Sequence, residues 1–440
     1  MEIPVLGWAS KGEKVTVTLD KNKVTIRANK AGKWRANLPK MSSGGPYKMT
    51  IQGKNALTME NVLIGDVWVC SGQSNMEFKV TGTKNAAVEI AAANYPTIRF
   101  FTVTKRVSKD PQDNLENGEW LECSPKTVSN LTAVGYFFGR NLNEHLKVPI
   151  GLIHTSWGGT VAETWTSPET IAKDADFKDK LTKLQTIDMK TTKVGPNDYP
   201  TLLYNGMLNP IIPFGIKGAI WYQGESNASR AQQYKRVFPN MIKDWRTKWN
   251  QGNFPFLFVQ LANFMKPVTE PVESDWAELR EAQTQTLQLE NTGMANIIDA
   301  GDAANIHPTD KQLVGYRLSL AARKVAYGES LVYTGPTYKS MKIEQNKIFI
   351  TFDNIGSGIK INSKYGYING FTIASKEGDF KWGKAVLVNE NTIMVTNEAI
   401  QNPAAVRYAW ANNPDDVNFY NAEGLPANPF RTDSRPGKTK

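Results

Sequence analysis

Cysteine is almost missing from this chain: Cys70 and Cys123 are the only two in 440 residues. That excludes a disulfide framework and a multi-cysteine metal site, and leaves either one bridge or two free thiols. Histidine is nearly as scarce, with only His145, His154 and His307, so the choice of an imidazole base is narrow. No stretch of about eighteen apolar residues occurs, so no helix is expected to span a membrane. There is no internal repeat and no low-complexity segment. A charged and apolar leader is also lacking, because Met1-Glu2-Ile3-Pro4-Val5-Leu6 passes straight into β-like sequence that reads as a strand already in progress. What is present is length, ample for two or three domains and a large core. The 52 Lys and Arg against 42 Asp and Glu give +10. These basic residues are scattered and mostly sit near acids, which reads as a solvated surface and argues against a nucleic-acid partner.

The order of patterns divides the chain. Residues 1–61 alternate in the β manner, as in Lys14 to Leu19, Val24 to Ala28 and Tyr47 to Ile51, between turns rich in Gly, Asn, Lys and Asp. This predicts a small antiparallel sandwich. From 62 to 327, short apolar runs suited to doubly buried strands (Val67 to Cys70, Ile150 to Ile153, Gly218 to Tyr222, Phe256 to Leu261, Ala295 to Ile298) alternate with helix candidates at Thr132 to Leu146, Ala231 to Trp249, Trp276 to Glu290 and Lys311 to Tyr327. Such alternation predicts an α/β unit with a parallel sheet, whose chemistry sits at the carboxyl ends of the strands. The lysine- and threonine-rich segment 174–199 reads as an insertion on that unit. Residues 328–440 return to the β pattern, either as a further sandwich or as the completion of the first, and the tail from Arg431 is expected to fray.

One strand end stands out. Val67-Trp68-Val69 stops at Cys70-Ser71-Gly72-Gln73-Ser74-Asn75, where small residues allow a sharp turn that exposes a serine hydroxyl beside backbone N–H groups. The same residues also suit an ordinary strand-to-helix turn with a capping serine. A serine nucleophile needs a base and donors for an oxyanion. After the Ile150 to Ile153 strand come Trp157-Gly158-Gly159-Thr160, where paired glycines either present an N–H to a ligand or merely allow positive φ. After Tyr222 come Gln223-Gly224-Glu225, where the Gln amide is a possible second donor and Glu225 a holder of the loop. His307 lies between a strand and a helix, with Asp302 upstream in the same loop. His145 falls at a solvated helix end beside Glu144, and His154 has no local carboxylate.

Taken together, Gly72-Gln73-Ser74-Asn75-Met76, Ser156-Trp157-Gly158-Gly159-Thr160 with Ala162 to Ser167, Trp221 to Asn227, Ser274 to Gln283, and Ile306-His307-Pro308 with Lys311 and Gly315 resemble the sialate O-acetylesterase family, a branch of the SGNH hydrolases. The resemblance extends over nearly the whole chain, to Val406 to Trp410 and Gly424 to Arg431.

It implies a flavodoxin-like three-layer α/β/α SGNH domain with N- and C-terminal β-sandwich-like segments. It implies Ser74 as nucleophile, His307 as base, and an oxyanion hole from the Ser74 N–H, Gly158 or Gly159, and Gln223. Many SGNH enzymes carry Asp three residues before the histidine; here Ala304 stands there and Asn305 follows, so Asp302 is the expected orienting carboxylate, with a backbone carbonyl as the alternative. The implied reaction is removal of O-acetyl groups, from sialic acids or from a plant polysaccharide such as xylan, with no metal or organic cofactor. Trp157, Trp165, Tyr222 and Trp410 are candidates to stack on a sugar ring, Arg280 or Arg407 to meet a sialate carboxylate, and Glu163, Asn205 and Glu225 to bind substrate, each equally suited to the scaffold. A non-catalytic carbohydrate-binding protein and a lipase or thioesterase are the competing readings. Relatives are commonly exported, so a secreted or periplasmic enzyme whose leader has been removed is expected, with a cytoplasmic one as the alternative.

Overall fold

A computed structural model describes residues 1–363 and 366–439. At its centre is a seven-stranded sheet. Before it, β1 (Ile3–Trp8) pairs with β4 (Lys33–Leu38), while β2 (Lys14–Leu19), β3 (Asn22–Arg27), β5 (Gly44–Gln52) and β6 (Ala56–Ile64) form an antiparallel sheet. Alternation explains this unit. Val15, Val17 and Leu19 point inward against Trp34, Ala36 and Leu38 to make a small core of their own. The last strand, β6, runs to Ile64, three residues beyond the expected boundary.

The central sheet contains β7 (Asp66–Gly72), β8 (Tyr95–Thr102), β9 (Trp120–Cys123), β10 (Ile150–Ser156), β11 (Gly218–Tyr222), β12 (Phe256–Val259) and β13 (Thr292–Ala295), in the spatial order β13-β12-β11-β7-β10-β8-β9. All pairings are parallel except that of the edge strand β9 with β8. Sequence periodicity misses β8 and β9, because Pro96, Arg99 and Glu122 interrupt an apolar run at the open side of the sheet. The expected strand at Ala295 to Ile298 is shifted earlier. Asn296 turns the chain out of the sheet by accepting from Ile298 N–H at 3.0 Å and donating to the Ala427 carbonyl at 3.1 Å.

The helices in chain order are α1 (Ser74–Glu77), α2 (Ala86–Ala92), α3 (Ala133–Leu146), α4 (Pro168–Ile171), α5 (Lys178–Thr186), α6 (Ala231–Trp249), α7 (Asp275–Thr286) and α8 (Lys311–Val325). α3 and α8 cover one face of the sheet with Trp68, Cys70 and Leu152, and α6 and α7 the other with Val69, Trp221 and Phe258. This is the three-layer α/β/α arrangement that the sequence implies. Gly315 lets α8 lie on α3, since a Cβ there would meet Phe137 Cβ at 2.5 Å. Cys70 lies on the central strand and Cys123 on the edge strand, both free and buried. Burial raises both thiol pKa values, that of Cys123 to about 12.

The C-terminal residues form sheets of their own and do not complete the N-terminal unit. Thr337–Glu344, Lys347–Asp353 and Thr392–Thr396 belong to one, Phe371–Ser375 and Pro403–Tyr408 to another, around Phe352, Phe371, Tyr408 and Phe419. Up to Thr439 the tail is bonded to the catalytic unit. Arg431 Nε donates to Glu281 at 2.7 Å, and Thr439 N–H to Glu278 at 3.1 Å; Lys440 lies outside the described residues. Among the described residues no helix is long and apolar enough to cross a membrane. Among the described residues no cluster of three or more His, Cys, Asp or Glu is placed to hold a metal.

Candidate active site

The chain leaves β7 toward β8 and β10 on one side and has β11 on the other, which makes the carboxyl end of β7 a topological switch point. Register brings three loops to one level there, because Gly72 lies opposite both Ser156 on β10 and Tyr222 on β11. Backbone bonds lock that level: Gln73 N–H donates to Tyr222 O at 3.0 Å and Trp157 N–H to Gly72 O at 3.2 Å. Gly72 is required, since φ is +140° and a Cβ would fall 2.1 Å from Tyr222 O. The turn delivers Ser74 as the first residue of α1, half-buried, with its own N–H unclaimed among the described residues.

Ser74 Oγ lies 2.8 Å from His307 Nε2. The loop before α8 carries the imidazole, and the backbone N–H of His307 donates to Asn305 Oδ1 at 2.9 Å. Burial, and secondly the Lys311 ammonium, lower the His307 pKa from 6.5. The ring also faces Phe78, with centroids 6.2 Å apart.

Asp302 does not reach this ring. Its side chain is exposed and accepts Ala304 N–H at 2.8 Å, because an aspartate beginning a turn satisfies the amide two residues on. Among the described residues neither a carboxylate nor a backbone carbonyl is bonded to His307 Nδ1. Ser74 and His307 stand as a hydrogen-bonded pair.

The expected oxyanion donors also change. Gln223 is fully buried and its amide is spent: Nε2 donates to Asn227 Oδ1 at 2.6 Å and to Thr160 O at 3.2 Å, and Oε1 accepts from Tyr234 at 3.1 Å. It braces the loops from behind. Gly158 lies against Ser74, with an added Cβ 3.3 Å from Ser74 Cβ, yet its N–H donates to Glu77 Oε2 at 2.6 Å. Glu77 in turn pairs with Lys105 at 2.5 Å, whose ammonium lies over Trp157 at 5.1 Å. Gly159, exposed at φ +75°, keeps its N–H free of partners among the described residues. Its carbonyl is tied at 2.7 Å by Asn197 from the insertion, which also accepts Val161 N–H at 3.1 Å.

The model of a carbohydrate esterase family, the sialic acid-specific acetylesterases, matches residues 64–323, from the strand before Ser74 through most of α8. The chain belongs to this family. It is an esterase, and its relatives run the length of the chain. It is 32% identical to mouse sialate O-acetylesterase over 97% of this chain and 90% of that protein. The human sialate O-acetylesterase is 31% identical over 98% and 90%. The crystal structure of a carbohydrate acetylesterase from Xanthomonas citri is 40% identical and superposes with a TM-score of 0.91, over 99% of this chain and 96% of that one.

Several residues that suited substrate binding in an esterase of this family are scaffold. Arg280 is fully buried and donates to four carbonyls, Leu261 O, Ala262 O, Ala411 O and Asn412 O, at 2.7–2.9 Å, welding the catalytic unit to the C-terminal one. Arg407 pairs with Asp433 and Glu273, each at 2.8 Å. Trp410 is buried between the guanidiniums of Arg407 and Arg431. Glu163 is held by Arg230 at 2.8 Å and Asn227 at 3.0 Å. Asn205 is buried, donating to Lys109 O at 2.7 Å. Trp165 and Tyr222 are core residues. Trp157 alone of the aromatic candidates stays partly exposed next to Ser74. Glu225 is also at the site, but it accepts from Asn75 at 2.6 Å.

Sequence reasoning missed Asn75, Glu77, Lys311 and Asn197. The first three stand inside or beside the motifs quoted above; only packing gives them their partners.

Proposed function

We propose that this esterase removes O-acetyl groups from sugars, sialic acids first, through an acetyl-serine on Ser74. The observation that carries the reading is the 2.8 Å contact between Ser74 Oγ and His307 Nε2 at the head of a helix. His307 takes the Ser74 proton as Oγ attacks the acetyl carbonyl. The tetrahedral oxyanion is held by Ser74 N–H and Gly159 N–H, with Gly158 N–H already engaged by Glu77. Collapse breaks the bond to the sugar oxygen, which leaves with the proton from His307. Water, deprotonated by His307, then attacks the acetyl-serine, and acetate departs with Ser74 regaining its proton.

Sialic acid as the sugar is supported by the family description and by the names of the mouse and human relatives. A second reading, acetylated polysaccharide such as xylan, is compatible with the Xanthomonas citri protein, which is named as a carbohydrate acetylesterase with no sugar specified. We place the enzyme outside the cytoplasm, where acetylated glycans are presented; cell fractionation that finds it in the cytosol overturns this.

Ser74→Ala is expected to abolish acetate release from p-nitrophenyl acetate, and unchanged activity overturns the mechanism. Wild type is expected to release acetate faster from 9-O-acetylated sialic acid than from acetylated xylan; the reverse order assigns the polysaccharide. Preference for octanoyl over acetyl esters defeats both.

A further inference from the structure

Behind Ser74 and His307 lies a buried polar chain that the proposed reaction does not itself use. Asn75, the residue after the nucleophile, is 1% exposed and its amide is bonded on both sides. Nδ2 donates to Glu225 Oε1 at 2.6 Å and to the carbonyl of Ile306, the residue before the base, at 3.0 Å. Oδ1 accepts from Lys311 Nζ. Lys311 is 0% exposed, its ammonium 4.9 Å from the Phe78 ring centroid and 5.1 Å from that of Tyr222. The second Glu225 oxygen is buried without a partner among the described residues.

We propose that Lys311 and Glu225 are positioning residues that clamp the Asn75 amide in one orientation, so that Asn75 ties the nucleophile's turn to the base's loop. The inference rests on the Ser74–His307 mechanism above. An amide alone can be turned end for end at small cost. Here a turn would put its NH2 against an ammonium and its oxygen against a carboxylate, both out of water, where such contacts are strongly unfavourable. The two opposite charges therefore select the orientation that reaches Ile306 O. In a dyad with no carboxylate behind the imidazole, this hydrogen bond is what fixes the base's loop relative to the serine.

Burial drives both groups toward their neutral forms, and each charge opposes that shift in the other. Burial lowers Lys311 to about 7, an effect Glu225 opposes, and burial raises Glu225. Lys311 is the charge that adds to burial in lowering His307. Of the other charges near these elements, Glu77 pairs with Lys105 and Asp310 with Lys84 at 3.6 Å, while exposed Lys79 donates to Asn130 at 3.2 Å and exposed Asp302 accepts Ala304 N–H at 2.8 Å; burial raises Tyr222 well above 10.

The test measures kcat and KM for p-nitrophenyl acetate from pH 5 to 9 in wild type, Ser74→Ala, Asn75→Ala and Lys311→Met, with circular dichroism to verify folding. Asn75→Ala and Lys311→Met are each expected to lower kcat by about tenfold or more, the scale of a small misplacement of reacting groups, with KM within about twofold. Lys311→Met is also expected to move the acidic limb of kcat/KM upward, because the cation that disfavours imidazolium is gone. If Lys311→Met does not fold, the kcat and KM of Asn75→Ala decide. Wild-type kcat in the folded variants, a change confined to KM, or an unmoved acidic limb in folded Lys311→Met overturns the inference. Activity retained by Ser74→Ala would instead remove the mechanism on which it stands.

Discussion

In the proposed mechanism the imidazole of His307 acts only while unprotonated, and both burial and Lys311 hold its pKa below 6.5. The acidic limb of kcat/KM is therefore expected below pH 6.5: activity present at neutral pH is lost as pH falls through that lowered value, which a pH–rate profile reads directly. A limb above pH 6.5 would contradict the environment described. Asp302 faces solvent, so Asp302→Asn is expected to cost less than about tenfold in kcat, far short of the roughly 10⁴ that a tautomer-setting aspartate is worth in a triad. His154 is different again. It is buried against Ser156 Oγ at 2.6 Å, and burial lowers its pKa to about 4. The unfolded chain binds this proton near pH 6.5 and the folded one does not, so the fold loses roughly 3 kcal/mol as pH falls from 6.5 to 4. Urea denaturation at pH 7.5 and 4.5 is expected to show a smaller difference for His154→Gln than for wild type.

At the scale of elements, the welds around the site are backbone carbonyls caught by buried side chains. Arg280→Met leaves Leu261 O and Ala411 O without a donor among the described residues, while Ala262 O keeps Trp276 Nε1 at 2.9 Å and Asn412 O keeps Phe264 N–H at 3.2 Å; it is expected to cost on the order of 3 kcal/mol, read as a lower thermal midpoint, with kcat of the folded fraction little changed. The same elements show what the chain's sequence discloses. Strands buried on both faces, such as Gly218 to Tyr222, announce themselves by unbroken apolar runs, and α6 begins and ends where its pattern does. β8 and β9 stay hidden because an edge tolerates Pro96 and Glu122. Ser74 and His307 are legible from their strand-end positions and from the scarcity of histidine. The donors are not legible. Nothing in Gln223-Gly224-Glu225 says that the amide turns inward to Asn227 and Tyr234, and nothing in the spacing of His307 and Lys311 says that the lysine is sealed between two rings.

For the molecule as a whole, the net charge of +10 acts at a distance on any anionic substrate. The KM for an O-acetylated sialic acid, which carries a carboxylate, is expected to rise with ionic strength, while that for a neutral acetylated sugar stays flat. Equal responses would show that charge plays no part in substrate capture. The two free thiols carry a further consequence. Cys70 lies in the middle of the central sheet and Cys123 on its edge strand, both out of reach of solvent and both held as thiols. Each becomes reactive only when its own strand opens, so the chain contains a pair of built-in clocks. Timed alkylation read by mass spectrometry should tag Cys123 through local fraying of the edge, and Cys70 only at the rate of global unfolding.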